Sequence, residues 1–259
     1  MMVDERIAGR ALAEARRERK ALGELPGGLP ADEATAYAIQ QKAIDAYGGK
    51  RVGYKIGATS PEARAMLGTD HPFRAPLFAA DCHDEGASIA EPGYGLIGLE
   101  PEFALRLGAD LPAREKPYTL DEVRAAVAAV HPAFEIIGLR LPNELLKNAV
   151  VVTADFGANA GFVAGEGVGD WQGHDMVGIM VRVSIGGEEV ASGSGAKVMG
   201  HPLNALLWLA NDFGSSGGGL AAGDWISTGT CAGIVPVAAG QRAVADFGPF
   251  GQVSMTIVA

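Results

Sequence analysis

The feature that most limits how this chain can fold is a change of hydrophobic rhythm at Arg51. Before it, apolar residues recur at helical intervals: Ile7, Ala11, Ala15 and Leu22 within residues 4–22, then Tyr37, Ile44 and Tyr47 within residues 32–47. The intervening LGELPGGLP carries the glycines and prolines that stop a helix, and Gly48 with Gly49 closes the second one. After it, Val52, Tyr54 and Ile56 alternate with Gly53, Lys55 and Gly57, the pattern of a strand with two distinct faces. Glycine weakens a strand, so two of them flanking Lys55 mark a place where something approaches the backbone closely.

Ser60, Pro61 and Gly68 then frame a short helix as cap, first residue and stop. The long remainder predicts short strands and glycine turns with few helices. One helix is expected from about Leu120 to Val130, opened by the capping-box pair Thr119 and Glu122 and stopped by Pro132. Another is expected from Pro202 to about Asn211. VRVSIGGEEVASG predicts a hairpin turning at Gly186 and Gly187, VSMTIV a terminal strand, and GSSGGGL a loop. No repeat of 20 to 50 residues is visible. At 259 residues one main domain with a small appendage is expected: a helical, α+β portion over 1–75 and a strand-dominated, mixed α/β domain over 76–259.

Charge and cysteine usage remove several classes of function. Acidic residues outnumber basic ones 31 to 21, and the densest basic cluster, Arg16, Arg17, Arg19 and Lys20, alternates with Glu14 and Glu18. That cluster predicts a solvated helix face, so nucleic acid is not an expected partner. No apolar run is long enough to span a membrane and the N-terminus lacks a secretory core, so a cytoplasmic protein is expected. Cys82 and Cys231 are far apart and predict buried free thiols. The five histidines have no metal-site spacing, so any metal must be held by oxygen.

Oxygen ligands are at hand in GLIGLEPEFALRL, where Glu100 and Glu102 leave the same face of a strand roughly 6 to 7 Å apart. Side by side they repel, and a hard cation such as Mg²⁺, Mn²⁺ or Ca²⁺ between them reverses the sign. The alternative is an acidic face in water. Glu135, in AFEIIGLRL, shares its face with Ala133, Ile137 and Leu139, where an unpaired carboxylate is costly. Either Arg140 or a cation shared with Glu100 and Glu102 could satisfy it.

GYKIGATS, GLEPEFALRLGADL, HPAFEIIGLRL, SGSGAKVMGHPLNALLWLAN and GDWISTG follow one another in this order. Together they resemble the 2-keto-4-pentenoate hydratase family of the fumarylacetoacetate hydrolase superfamily, which also includes 4-oxalocrotonate decarboxylases. GHPLNALLWLA is the most specific of these segments. The resemblance implies a fumarylacetoacetate-hydrolase-like β-roll or barrel, a small helical N-terminal part, and a homo-oligomer. It implies Glu100, Glu102 and Glu135 as ligands of Mg²⁺ or Mn²⁺, Lys55 as a catalytic group, and Thr230 as a contact of the substrate carboxylate. The implied activity is metal-dependent addition of water to 2-hydroxypenta-2,4-dienoate, giving 4-hydroxy-2-oxopentanoate, or to a close 2-oxo acid analogue, in aromatic catabolism.

Three departures qualify that activity. HPFRAP places Phe73 and Arg74 where hydratases commonly carry an aspartate implicated in proton chemistry. DFGANAG differs from the usual DNASS-like run, so Asn159 stands in for a serine contact, and Lys197 stands where an acidic residue is common. Loss of CO₂ requires no positioned water, and Arg74 or Arg140 could hold a second carboxylate by a bidentate contact. The alternatives are therefore a decarboxylase of 4-oxalocrotonate type or a hydratase of a longer dioate, and, in another class, a non-catalytic partner subunit of a hydratase complex.

Overall fold

A computed structural model describes residues 3–259, with the side chain of Ser215 left aside. Asp4 caps α1 (Glu5–Glu18) by accepting from the Arg6 and Ile7 amides, and Arg19 ends it in the left-handed conformation, short of the expected residue 22. Asp32 and Gly48 bound α2 (Glu33–Tyr47) in the same manner. Ala8 and Leu12 of α1 and Ala36, Ile39 and Ala43 of α2 bury against one another and against Phe78, Leu139, Val151 and Phe156. The basic cluster is not uniformly solvated: Arg16 is only 4% exposed. Its place on the inner side of α1, facing acceptors of the main body, overrides the charge alternation that predicts solvent.

The other helices are α3 (Pro61–Leu67), α4 (Leu120–Ala126), α5 (Ala149–Ala154) and α6 (Pro202–Ser216). The strands are β1 (Arg51–Gly57), β2 (Phe73–Phe78), β3 (Cys82–Asp84), β4 (Ala87–Ala90), β5 (Gly95–Leu107), β6 (Leu111–Pro112) and β7 (Val127–Leu139). They continue with β8 (Asn159–Ala164), β9 (Val181–Ile185), β10 (Glu188–Gly193), β11 (Gly219–Leu220), β12 (Trp225–Thr230), β13 (Arg242–Asp246) and β14 (Gln252–Val258). A curled seven-stranded sheet has the order β2-β1-β12-β5-β7-β8-β3, a five-stranded sheet the order β10-β9-β13-β14-β4, and β11 pairs with β6. Strands β1 and β2 belong to the large sheet, which therefore runs unbroken across residue 75.

Position parity along β5 decides what each face meets. Leu99, Phe103, Leu105 and Leu107 join Phe134 and Ile136 of β7 in the main core, which also takes Leu203, Leu206 and Leu209 of α6 and Val183, Ala245, Val253 and Met255 of the second sheet. Glu100, Glu102 and Ala104 point the other way, and Ala104 packs with Ala133 and Leu77. The glycines around Lys55 allow close approach by protein. A Cβ on Gly53 would lie 2.0 Å from the Trp225 carbonyl oxygen of β12, and one on Gly57 would lie 2.2 Å from the Phe73 ring.

Two helix expectations change in the fold. Helix α4 stops at Ala126, and Val127 to Val130 enter β7, pairing with β5 from Leu107 to Leu105 and onward. Pro132 sits inside that strand because its face toward β8 lies at the end of that ladder: pairing begins at Ala133, and the Pro132 carbonyl accepts from Gly165 just past β8. Helix α6 extends to Ser216 before Gly217 caps it, so most of GSSGGGL is helix or strand rather than loop. Cys231 is buried and Cys82 half-buried, both as free thiols. Among the described residues no helix is long and apolar enough to cross a membrane.

Candidate metal centre and substrate cavity

Four adjacent strands, β1, β12, β5 and β7, place the charged side chains in one row. Antiparallel register sets Glu100 directly opposite Glu135, and Glu102, two residues along the same face, opposite Thr230 of β12. Lys55 of β1 is in register with Ser227 of β12. Carboxylate oxygens of Glu100, Glu102 and Glu135 consequently lie within 4.8 Å of one another. A single cation with oxygen ligands at roughly 2.0–2.6 Å can bridge that span.

The surroundings leave this cluster electrically unfinished. Glu102 Oε2 accepts from the Ser227 hydroxyl and from the Gly229 amide at 2.9 Å, while buried Oε1 has no hydrogen-bond partner among the described residues. Glu135 Oε1 accepts from Asn159 Nδ2 at 3.0 Å, and Oε2 faces Lys55 Nζ at 3.2 Å. Glu102 and Glu135 are fully buried and Lys55 is 3% exposed. Burial pushes the Glu100 carboxyl up to about 7, with Lys55 pulling it down and Glu135 pushing it further up. Burial likewise raises Glu102 well above its ordinary value, reinforced by Glu135 and Glu100, and raises Glu135 against the pull of Lys55. Burial would lower the Lys55 pKa, but Glu135, Glu100 and Glu102 outweigh it and the ammonium holds its proton. The orphaned Glu102 oxygen and an all-carboxylate donor set fit a hard divalent cation.

Glu100 borders two neighbouring spaces. An inner pocket of about 50 Å³ sets Lys55 and Glu100 against Phe73, Ile137, Leu146, Val152 and other apolar groups. An outer chamber of about 350 Å³ is lined by Ser60, Glu62, Lys197, Thr230 and Gly233. Ala63 and Met66 of α3, with Ile234, border both.

The expected substrate contacts divide. Thr230 does line the outer chamber, but its hydroxyl is engaged in its own turn, accepting from the Ala232 and Gly233 amides and donating to the Gly233 carbonyl at 3.0 Å. Asn159 is 1% exposed, and its amide donates to Glu135 and to the Gly161 carbonyl, so it supports a carboxylate instead of touching the chamber. Arg74 is on the opposite face of β2 from Ala75, the residue in register with Lys55. It pairs with Asp212 at 2.6 Å and stacks on Tyr37 and Phe213, 4.6 and 4.5 Å from their ring centres, so its guanidinium is engaged by α2 and α6 and lines neither space. Arg140 is fully buried on Asp155, with Nη2 also donating to the Asn159 carbonyl. That pairing answers the open question at Glu135: Arg140 is occupied elsewhere, and the groups facing Glu135 are Lys55 and Asn159.

Residues that strand spacing did not single out as contacts include Met66, Ile234 and Lys197 of the cavity. Lys197 ends a short helical turn (Gly195–Lys197) and Met66 lies on a helix, so no alternation on the sheet points to either.

The model of the fumarylacetoacetate (FAA) hydrolase C-terminal family matches residues 63–258. A 2-hydroxyhexa-2,4-dienoate hydratase of Comamonas testosteroni is 33% identical, over 90% of this chain and 90% of its own. A 2-keto-4-pentenoate hydratase of Burkholderia vietnamiensis is 33% identical over 99% of both. Among solved structures, the 4-oxalocrotonate decarboxylase from Pseudomonas putida G7, complexed with magnesium and adipate, superposes with a TM-score of 0.85 at 28% identity, covering 96% of this chain and 97% of that one. The curled sheet, the converging glutamates and these likenesses agree: the chain belongs to the fumarylacetoacetate hydrolase family.

Proposed function

We propose that this protein is a divalent-metal-dependent hydratase that adds water to 2-hydroxypenta-2,4-dienoate, or a close analogue with a short apolar tail, giving a 4-hydroxy-2-oxo acid. The observation that carries the reading is the trio Glu100, Glu102 and Glu135 beside Lys55, at the mouth of an apolar inner pocket. Glu100, Glu102 and Glu135 would hold Mg²⁺ or Mn²⁺, which supplies an electrophilic seat for the carboxylate and 2-oxo oxygens and for the negative charge that develops on them. Lys197 favours the carboxylate end in the outer chamber, and the apolar lining favours the hydrocarbon end inside.

Lys55 is the proton carrier of the inner pocket, because its Nζ lies among the carboxylates and remains protonated. It delivers a proton to C5 of the dienol and regains the proton that leaves the enol oxygen. The conjugated ketone then takes the hydroxyl of water at C4 and the remaining proton at C3, so one water is added and Lys55 ends as it began. Phe73, Ile137, Leu146 and Val152 exclude bulk water from that end.

A second reading, decarboxylation of a 2-oxo dioate, is supported by Phe73 in place of a water-orienting carboxylate and by Lys197 as a possible seat for another carboxylate. It is weakened by the absence of arginine, among the described residues, from the lining of either space. The test supplies the purified protein and Mn²⁺ with each substrate. Loss of diene absorbance from 2-hydroxypenta-2,4-dienoate with formation of the 4-hydroxy product supports hydration. CO₂ release from 2-oxo-3-hexenedioate, with no turnover of the dienoate, contradicts it.

A further inference from the structure

We propose that Arg16 of α1 is a positioning residue for the metal centre: it fixes the side-chain amide of Asn159, and that amide orients Glu135. The proposal rests on the reading of Glu135 as a metal ligand. Arg16 lies outside residues 63–258, the span of the family model, on a helix with no residue lining the cavity.

The contacts form a directional chain. Arg16 Nη1 donates to the Asn159 carbonyl at 2.8 Å and Nη2 to Asn159 Oδ1 at 3.2 Å. Asn159 Nδ2 then donates to Glu135 Oε1 at 3.0 Å and to the Gly161 carbonyl at 3.2 Å. A guanidinium only donates and a carboxylate only accepts, so the amide between them has one allowed orientation. Turned over, it would set an oxygen against Glu135 and an NH₂ against Arg16, opposing like groups at both ends. With Oε1 held, the other Glu135 oxygen is left to face Lys55 and the remaining glutamates.

Arg16 itself is rigidly seated. Nε and Nη2 contact Asp81 Oδ2 at 3.2 and 2.6 Å, and the guanidinium carbon sits 5.0 Å from the Phe78 and Phe156 ring centres. Neutralising Asp81 would not require Nη1, which donates to the Asn159 carbonyl, where Arg140 Nη2 also donates at 2.8 Å. Two buried arginines thus converge on one residue whose side chain touches a metal-site carboxylate.

The experiment measures Mn²⁺ affinity by electron paramagnetic resonance titration of the full chain, with thermal unfolding recorded for each variant. The variants are Arg16→Met, Arg16→Lys, Asn159→Ala and the double variant Arg16→Met with Asn159→Ala. Loss of a group that orients a ligand weakens metal binding about 10- to 100-fold, and that is the expectation for Arg16→Met and for Asn159→Ala. Acting through Asn159, Arg16→Met adds less than about twofold in the Asn159→Ala background. Arg16→Lys keeps the charge but not the two-pronged grip, so at least about a fivefold weakening is expected from it even if Arg16→Met fails to fold. Wild-type affinity in Arg16→Lys, or fully additive losses in the double variant, overturns the proposal. A wild-type chain that binds no Mn²⁺ overturns instead the metal reading beneath it, and the wild-type titration alone reveals that case.

Discussion

Two clusters of buried charge lie within the same sheet region and solve the same problem in opposite ways. In the first, Arg140 and Arg16 meet Asp155 and Asp81, two cations for two anions. Both Asp155 oxygens are taken, one by the Arg140 amide at 2.7 Å and the other by Arg140 Nε. In the second, three glutamates share one lysine, and Glu102 Oε1 accepts nothing from the described residues. With all three carboxylates ionised, three negative charges against one positive leave a net charge of minus two, which a single divalent ion would balance. A cluster neutral within itself is scaffold, whereas one left unneutralised under burial is arranged for something that arrives from outside.

That contrast predicts opposite responses to neutral substitutions. The largest effect is expected from Glu102→Gln. Steady-state kinetics should show kcat/KM falling about 10⁴-fold, roughly 5 kcal/mol of transition-state stabilisation, since an amide oxygen is a poor substitute for an ionised ligand. The metal-free Glu102→Gln variant should nevertheless melt no lower than the metal-free wild type, because a buried carboxylate with one oxygen left unpartnered has been removed. Arg140→Met should do the reverse. Leaving Asp155 unpaired costs about 3–5 kcal/mol in urea unfolding, and any activity change should follow the folded fraction and the slackening of Asn159.

Lys55→Met separates the two roles within the glutamate cluster. A missing proton carrier lowers kcat about 10²- to 10⁴-fold, while Mn²⁺ affinity is retained or tightened because a competing cation has left the carboxylates. Loss of both together would mean that Lys55 organises the ligands rather than moving protons.

The smallest effect is a slope with pH. Burial raises the Glu100, Glu102 and Glu135 pKa values, Glu100 to about 7, above the value of about 4.3 for an unfolded glutamate. Between those values the folded, metal-free chain binds more protons than the unfolded one, so its stability falls as pH rises through this window. Saturating Mg²⁺ should flatten the fall, since the cation replaces the protons. A metal-free melting temperature that instead climbs steadily from pH 5 to pH 7.5 would contradict the electrostatic account of the cluster.

Much of this site was legible in the sequence because strand geometry is simple. A two-residue step puts Glu100 and Glu102 on one face, and the apolar neighbours of Glu135 announce a carboxylate in need of a partner. The partner itself was not legible from spacing. Glu135 meets Glu100 through the β5–β7 register, and Arg140, five residues along, is captured by Asp155 through a turn that no periodicity reports. Arg74 illustrates the same limit: its guanidinium lies on the α6 side of the sheet, stacked between Tyr37 and Phe213. Arg16 shows it most clearly, since alternating charge along α1 predicts water and the docking of that helix supplies Asp81 and Asn159 instead.

Metal binding to the trio is open to direct titration. Isothermal calorimetry of Mn²⁺ into the metal-free wild type and the folded Glu102→Gln variant, both near pH 7.5, should show one ion per chain in the former and at least a hundredfold weaker binding in the latter. No heat of binding in the wild type up to millimolar Mn²⁺, or equal binding in both, would contradict the assignment of Glu100, Glu102 and Glu135 as a metal centre.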